Sequence, residues 1–299
     1  MPNYLLGNLL ALGEIEMKVL IIQENGRHEQ NRHFRECFCM QRSLQKLDHE
    51  VDIWGLGHDS YETKPEVDEY DLILNLENYD SIGWVPNLST TTKPKKYLWS
   101  IDAHCRGMKP FYDTFHAGKY DLILQSTEDF VDENSVWFPN CYDDALLKPV
   151  KIDKTVDVGF CGSLLNRGGI LGHLEKKYNL QKNIFVIGDK MVEKINSFWI
   201  NFNINLANDI NYRSFETIGC GTVLLTNYNP QYEKLGFIDE YNCLFYNNLS
   251  SLDEKIEKYI RKYDKLKEIG DNALELAEKH TYDVRAKQLI NIFKEIEND

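Results

Sequence analysis

The residues from 211 to 221 read Asn-Tyr-Arg-Ser-Phe-Glu-Thr-Ile-Gly-Cys-Gly and run straight into the apolar segment 222–226. On a helix, Arg213 and Glu216 are three apart and share one face. Arginine carries a permanent charge on a planar fork that matches phosphate oxygens. Glutamate accepts two hydrogen bonds from vicinal hydroxyls. Held together where a helix turns into a strand, the two suit a ligand with both a phosphate and a sugar diol. The same spacing also occurs in exposed ion pairs of little consequence, so the rest of the chain must decide.

A second candidate is Gly159-Phe-Cys-Gly162-Ser163-Leu-Leu-Asn-Arg167-Gly168-Gly169. It ends an apolar strand and opens a helix. Such a turn leaves backbone amides unpaired and aims a helix N-terminus at an anion. Arg167 adds charge. The segment is neither a P-loop nor a dinucleotide fingerprint.

A third runs Tyr-Leu-Trp-Ser-Ile-Asp102-Ala-His104-Cys-Arg106-Gly from residue 97. A carboxylate just past a buried strand can take a proton from an attacking hydroxyl. His104 is the rival base, and capping of the next turn is the alternative use of Asp102. Arg106 could bind an anionic acceptor or orient the base. A fourth segment, 23–36, follows the first strand and carries Asn25, Arg27, His28 and Arg32. It is expected over the same cleft, on the acceptor side. His28, His33, Cys37 and Cys39 match no familiar zinc spacing, and no Asp-x-Asp pair is present, so no dedicated metal site is expected.

The elements that must position these residues alternate. Strands are expected at 18–23, 50–54, 71–76, 96–100, 121–125 and 136–138, with a helix over 31–47. The second half repeats the pattern with strands at 156–161, 184–187, 200–206, 222–225 and 243–246. Helices are expected near 169–178, 189–199, 212–219 and 230–235, and the tail from residue 250 is helical. Strand and helix in alternation predict α/β architecture, with parallel sheets and crossover helices. Pro139, Pro149 and the polar stretch 151–155 mark a linker. The expected division is an N-terminal extension over 1–16, doubly wound domains over 17–150 and 151–280, and a helix over 281–299. Ligands of such sheets bind beyond the carboxyl ends of the strands, here in the cleft between two facing domains.

With 299 residues the chain can bury two substantial cores. Seven cysteines without a Cys-x-x-Cys pair fit reduced thiols in a cytoplasm. Residues 4–12 are apolar but short, with no Lys or Arg before them, which is a poor secretory signal. No run is long enough to span a bilayer, so no membrane partner is expected. The formal charge is −13, and residues 1–150 hold 14 Lys and Arg against 25 Asp and Glu. Phosphate neutralisation normally supplies affinity for nucleic acid, so the basic stretches 27–42 and 93–109 are local exceptions in an acidic protein.

Together these pieces resemble the GT-B glycosyltransferases, with two facing Rossmann-like domains and a C-terminal helix crossing back onto the first. The segment from Phe215 to Gly221 is similar to that family's nucleotide-binding signature, whose Glu holds the ribose. Retaining members carry a further Glu eight residues earlier; here Asn208 stands there, which implies inversion. Two subfamilies are similar in detail. The spore-maturation type shares the Asn-x-Arg-x-Phe-Glu pattern. Phage DNA β-glucosyltransferases, which act on 5-hydroxymethylcytosine, share three places: Gly162-Ser163 with Arg167, Arg213-Ser-Phe-Glu216-Thr217, and Lys96 to Asp102.

The resemblance implies a nucleotide-diphosphate sugar such as UDP-glucose as donor, held by Gly162, Ser163, Arg167, Asn211, Arg213 and Glu216. Asp102 would be the base, with His104 second. Asn25, Arg27, His28, Arg32 and Arg106 would meet the acceptor. No cofactor is obligatory, and a divalent cation could assist product release. The favoured acceptor is a hydroxymethylated pyrimidine in DNA. The rivals are a surface glycan or small molecule, or an epimerase or binding protein on the same fold.

Overall fold

The computed structural model describes residues 16–26, 28–76 and 83–298. The expected extension at 1–16 lies outside these residues, apart from Glu16. The first sheet contains β1 (Lys18–Ile22), β2 (Glu50–Trp54), β3 (Leu72–Leu76), β4 (Lys95–Ser100), β5 (Leu122–Gln125) and β6 (Ser135–Trp137). Its order is β2-β1-β3-β4-β5-β6, parallel throughout. Runs such as Val19 to Ile22 and Leu72 to Leu76 are buried from end to end, as strands covered on both faces must be. Helices α1 (Glu36–Gln45), α2 (Ala103–Arg106) and α3 (Lys109–Gly118) belong to this half.

The second sheet is built from β7 (Val156–Gly162), β8 (Gln181–Ile184), β9 (Phe198–Phe202), β10 (Val223–Asn227) and β11 (Leu244–Tyr246). Its order is β11-β10-β9-β7-β8, again parallel. Helices α4 (Gly168–Tyr178), α5 (Asp189–Ser197), α6 (Tyr212–Gly219) and α7 (Pro230–Lys234) lie between its strands, and α8 (Leu249–Tyr259) and α9 (Tyr263–Ala277) follow.

Strand order reverses between β1 and β3 in one sheet and between β7 and β9 in the other. At such points the two crossovers leave in opposite directions and open a crevice beyond the strand ends. The turns after β7 and β9 therefore border the crevice of the second sheet.

The last helix, α10 (Tyr282–Asn298), returns to the first half. Tyr282, Ala286, Leu289, Ile290 and Phe293 join the core formed by α1 and the first sheet. Each large apolar side chain buried this way contributes about 1.5–3 kcal/mol. Ser43 Oγ donates to Asp283 Oδ1 at 2.6 Å, and Lys46 pairs with the same carboxylate at 2.9 Å. The crossing is locked where chain segments meet. Arg285 Nε donates to Pro139 O at 2.8 Å, and Tyr142 bridges Thr281. Arg285 Nη2 lies 3.2 Å from His280 Nδ1, so that nitrogen is the acceptor and Nε2–H donates to Leu235 O at 2.8 Å. Burial holds the His280 imidazole at a pKa of about 3, which keeps it neutral.

Three expected elements differ. The helix expected over 31–47 divides into a 3-10 helix, Glu29–Phe34, and α1. Arg35 between them is extended (φ −67°, ψ 147°), with Nη2 donating to Glu24 O at 3.2 Å. The Gln23 side chain receives the Cys37 N–H at 2.9 Å, taking up a donor at the start of α1 that the helix leaves unmatched. The strand expected at 184–187 lies at Gln181–Ile184, because these residues pair with Gly159 to Gly162. Phe185 (φ +55°) then turns the chain away. The strand expected at 200–206 is β9, Phe198–Phe202. Beyond it the Asn227 side chain captures the Asn205 N–H at 2.8 Å, so the apolar Ile204 and Leu206 lie on a loop.

Candidate active site

Beyond β7 the chain passes Gly162, Ser163 and Arg167 before α4 begins. A Cβ on Gly162 would stand 2.8 Å from Arg213 Nε and 3.0 Å from its Cζ. The bare glycine thus seats the guanidinium of a residue on the neighbouring turn, and Arg213 Nε donates to Cys161 O. Arg167 occupies the N-cap position of α4 and is 8% exposed. Its fork spans Ile204 O, at 3.3–3.4 Å, and Ser163 Oγ, at 3.3 Å. Burial lowers its pKa, the like charge of Arg213 lowers it further, and Asp209 opposes both. Two guanidinium groups are therefore neighbours at the N-terminus of an eleven-residue helix. Cβ atoms on Gly168 and Gly169 would meet nothing, so backbone at this helix start faces open space.

Helix α6 carries Arg213 and Glu216 as the spacing predicts, but the Arg213 guanidinium donates to Cys161 O and not to the Glu216 carboxylate. Arg213 turns to Cys161 and Gly162 instead. The Glu216 carboxylate has no hydrogen-bonded partner among the described residues, and burial raises its pKa against the pull of Arg213. Glu36 of α1 faces it across the cleft and pushes the same way as burial.

Asn211 is the N-cap of α6, without a side-chain cap bond. Its Nδ2 donates to Asn203 Oδ1 at 3.2 Å, and its Oδ1 is buried without a partner. It belongs to a polar network with Asn203, Asn205, Ser214, Thr226 and Tyr232, whose hydroxyl meets Ser214 Oγ at 2.7 Å and Asn205 Nδ2 at 2.9 Å. This network fixes the loop from 203 to 211. Side chains of Gln231, Asn229 and Asn140 hold the carbonyls of Asn208, Asp209 and Ile210 at 3.2, 3.3 and 3.0 Å.

The first half contributes Asp102, just beyond β4 at the N-cap of α2. Its carbonyl receives the Cys105 and Arg106 amides, but its side chain makes no cap bond; capping is not what that carboxylate does. His104, the second candidate base, meets a carboxylate of the other half. Its Nε2 lies 3.5 Å from Asp209 Oδ2, with side chains 12% and 7% exposed. His104 Nδ1 and Asp209 Oδ1 are both buried without partners. Burial raises the Asp209 pKa, His104 lowers it, and Asp102 raises it. One cluster thus gathers Asp102 and His104 from the first half with Asp209, Arg167 and Arg213 from the second.

The acceptor-side residues are less gathered. Arg27 lies outside the described residues. Asn25 Nδ2 is tied to Gly57 O at 3.0 Å. His28 and Arg32 are exposed at the 3-10 helix Glu29–Phe34, and Arg106 is exposed on α2. That 3-10 helix reaches the second half: Phe34 packs against its core, and a Cβ on Gly188 (φ +62°) would overlap the backbone oxygen of Gln30. His28 and Arg32 therefore sit on a segment that spans the cleft rim.

Asp209 and Glu36 were not anticipated. Asp209 is seven residues before Glu216 and had no spacing to mark it; its partner lies 105 positions away. Two surface cavities of ≈ 340 and ≈ 370 Å³ lie elsewhere, behind the linker around Pro149 and beside Tyr120. Among the described residues no group of three or more His, Cys, Asp or Glu could hold a metal ion, and no helix is long and apolar enough to cross a membrane.

Residues 145–291 match the family model described as glycosyl transferase-like. No curated protein matches the sequence. Solved structures share the fold. A DNA-modifying β-glucosyltransferase, solved with and without uridine diphosphoglucose, aligns at TM-score 0.64 and 15% identity, covering 94% of this chain and 100% of the other. HepE of Anabaena in complex with UDP and glucose aligns at 0.63 and 12%, covering 93% and 99%. Sucrose-phosphate synthase of Thermosynechococcus elongatus aligns at 0.62 and 11%, covering 95% and 100%. At these identities the likeness is one of fold, and the fold is GT-B.

Proposed function

We propose that this chain, a glycosyltransferase of the GT-B fold, moves a sugar from a uridine-diphosphate donor to an acceptor hydroxyl with inversion. One observation carries the donor half. Arg167 and Arg213 are driven together at the strand-order switch, where like charges repel unless an anion lies between them. A diphosphate supplies that anion, and the amides opening α4 add donors aimed the same way. Glu216, with no hydrogen-bonded partner, takes the ribose hydroxyls and so fixes the anomeric carbon. The UDP and UDP-glucose complexes of structural neighbours support the choice of nucleotide.

In the transfer, the acceptor oxygen attacks the anomeric carbon from the face opposite the diphosphate. Asp102 takes the hydroxyl proton. The bond from the anomeric carbon to the diphosphate oxygen breaks, and the bonding pair leaves with that oxygen. Arg167, Arg213 and the amides of 162–169 meet the charge that develops there. Ser163 and Asn211 shape the pocket around the diphosphate. No step requires a resident cofactor.

For the acceptor, the reading is a 5-hydroxymethylpyrimidine in DNA. Arg32 and Arg106 are exposed cations on the rim and on the Asp102 turn, with the exposed His28 beside the first, suited to phosphates around an unstacked base. The net charge of −13 favours a second reading, a surface glycan or small-molecule acceptor. Incubation with UDP-glucose and hydroxymethylcytosine duplex, followed by mass spectrometry of the nucleosides, separates the two. A hexosylated base supports DNA. Absence of duplex binding even at low salt excludes it.

A further inference from the structure

His104 and Asp209 form a shielded contact between the two halves of this site, 3.5 Å from Nε2 to Oδ2. Other links across the cleft lie nearby: Lys234 meets Glu128 at 2.6 Å, and Asn208 donates to Asp129. The lysine pair is solvated at its surface (52% and 29% exposed), where such pairs contribute little. His104 and Asp209 are shielded, and each keeps one polar atom without a partner. Leaving buried polar atoms unmatched is costly, so the arrangement is not explained by stability.

Their places in the chain suggest what it does. His104 lies in α2, the four-residue turn that begins at Asp102. Asp209 lies two residues before Asn211, the N-cap of the helix bearing Arg213 and Glu216, and three side chains pin the carbonyls around it. The contact therefore joins the base-bearing turn to the donor-binding helix through short, rigid connections. Asp209 also faces Arg167. An anion bound at Arg167 would therefore lie beside the carboxylate that meets His104.

We propose that Asp209 is a positioning residue that clamps the Asp102 turn, through His104, against the occupied donor site. Donor binding on one half is thereby transmitted to the base on the other. This rests on the donor reading above.

The test is amide exchange of the full chain with and without UDP, read by mass spectrometry. In the wild type, UDP slows exchange both at 162–169 and at 101–107, although the second peptide belongs to the other half. In Asp209→Asn, UDP still binds by calorimetry and protects 162–169, but protection of 101–107 is lost. His104→Gln, altered from the opposite side, gives the same pattern, and the double variant is no worse than either single one. It also covers the case in which Asp209→Asn fails to fold. UDP binding with undiminished protection of 101–107 in the variants overturns this proposal alone. Failure of UDP to bind the wild type overturns the donor reading and this proposal with it.

Discussion

Arg213 lies over Gly162: a Cβ at residue 162 would stand 2.8 Å from its Nε. The glycine at the end of β7 and the arginine on α6 thus form one unit, although 50 residues separate them. A Gly162→Ala substitution must push the guanidinium aside, with the Phe160 ring also only 3.0 Å from the new methyl. UDP-glucose affinity should fall about tenfold, equivalent to about 1.4 kcal/mol, while the circular dichroism spectrum stays that of the wild type. Calorimetric titration reads the change.

Asp102 stands at the N-cap of α2 without a side-chain cap bond, and asparagine keeps its size and shape. Asp102→Asn should bind UDP-glucose within about twofold of the wild type and transfer sugar roughly 10²–10⁴ times more slowly, the usual range for loss of a general base. Undiminished turnover would transfer the role to another group.

Glu216 is kept without a hydrogen-bonded partner where burial raises its pKa. A carboxyl group raised in the folded state contributes stability below its unfolded pKa and loses it as pH rises through the folded value. At neutral pH its charge is therefore a burden on the empty protein. Glu216→Gln should raise the melting temperature at pH 7 and weaken UDP-glucose binding. The gain should vanish at acid pH, where the wild-type carboxyl is protonated too. Scanning calorimetry across pH 4–8 reads both arms.

His280 has the opposite sign. Its imidazole is held neutral with a pKa of about 3, against about 6.5 in the unfolded chain. Between those values the unfolded chain binds a proton that the folded one does not. Stability should therefore fall as pH drops below 6.5, by about 1.4 kcal/mol per pH unit from this group. His280→Gln should flatten that part of the denaturation profile relative to the wild type.

The alternation of apolar runs and turns made both parallel sheets legible, because strands buried on both faces carry their signal locally. The turn after β7 and the start of α6 were legible for a related reason: glycine at a strand-to-helix junction acts through backbone geometry. What escaped depends on distant partners. The break at Arg35 needs Gln23 to cap α1, and the loop after β9 needs Asn227 to take an amide from Asn205. Arg213 and Glu216 were expected as a pair, but Cys161 and Gly162 draw the arginine away. His104 was expected as a second base, but its contact with Asp209 of the other half had no local signal in the sequence.

Paired arginines that hold a nucleotide diphosphate at the β7/β9 switch should dominate its affinity, which calorimetric titration of UDP-glucose into the wild type and into an Arg167→Ala, Arg213→Ala double variant measures. The wild type should bind with a dissociation constant between about 1 μM and 1 mM, the usual range for enzyme substrates. The folded double variant should bind at least about 100-fold more weakly, a loss of about 2.7 kcal/mol. A wild type that takes up no sugar nucleotide, or a double variant of equal affinity, would mean that these arginines do not form a diphosphate site.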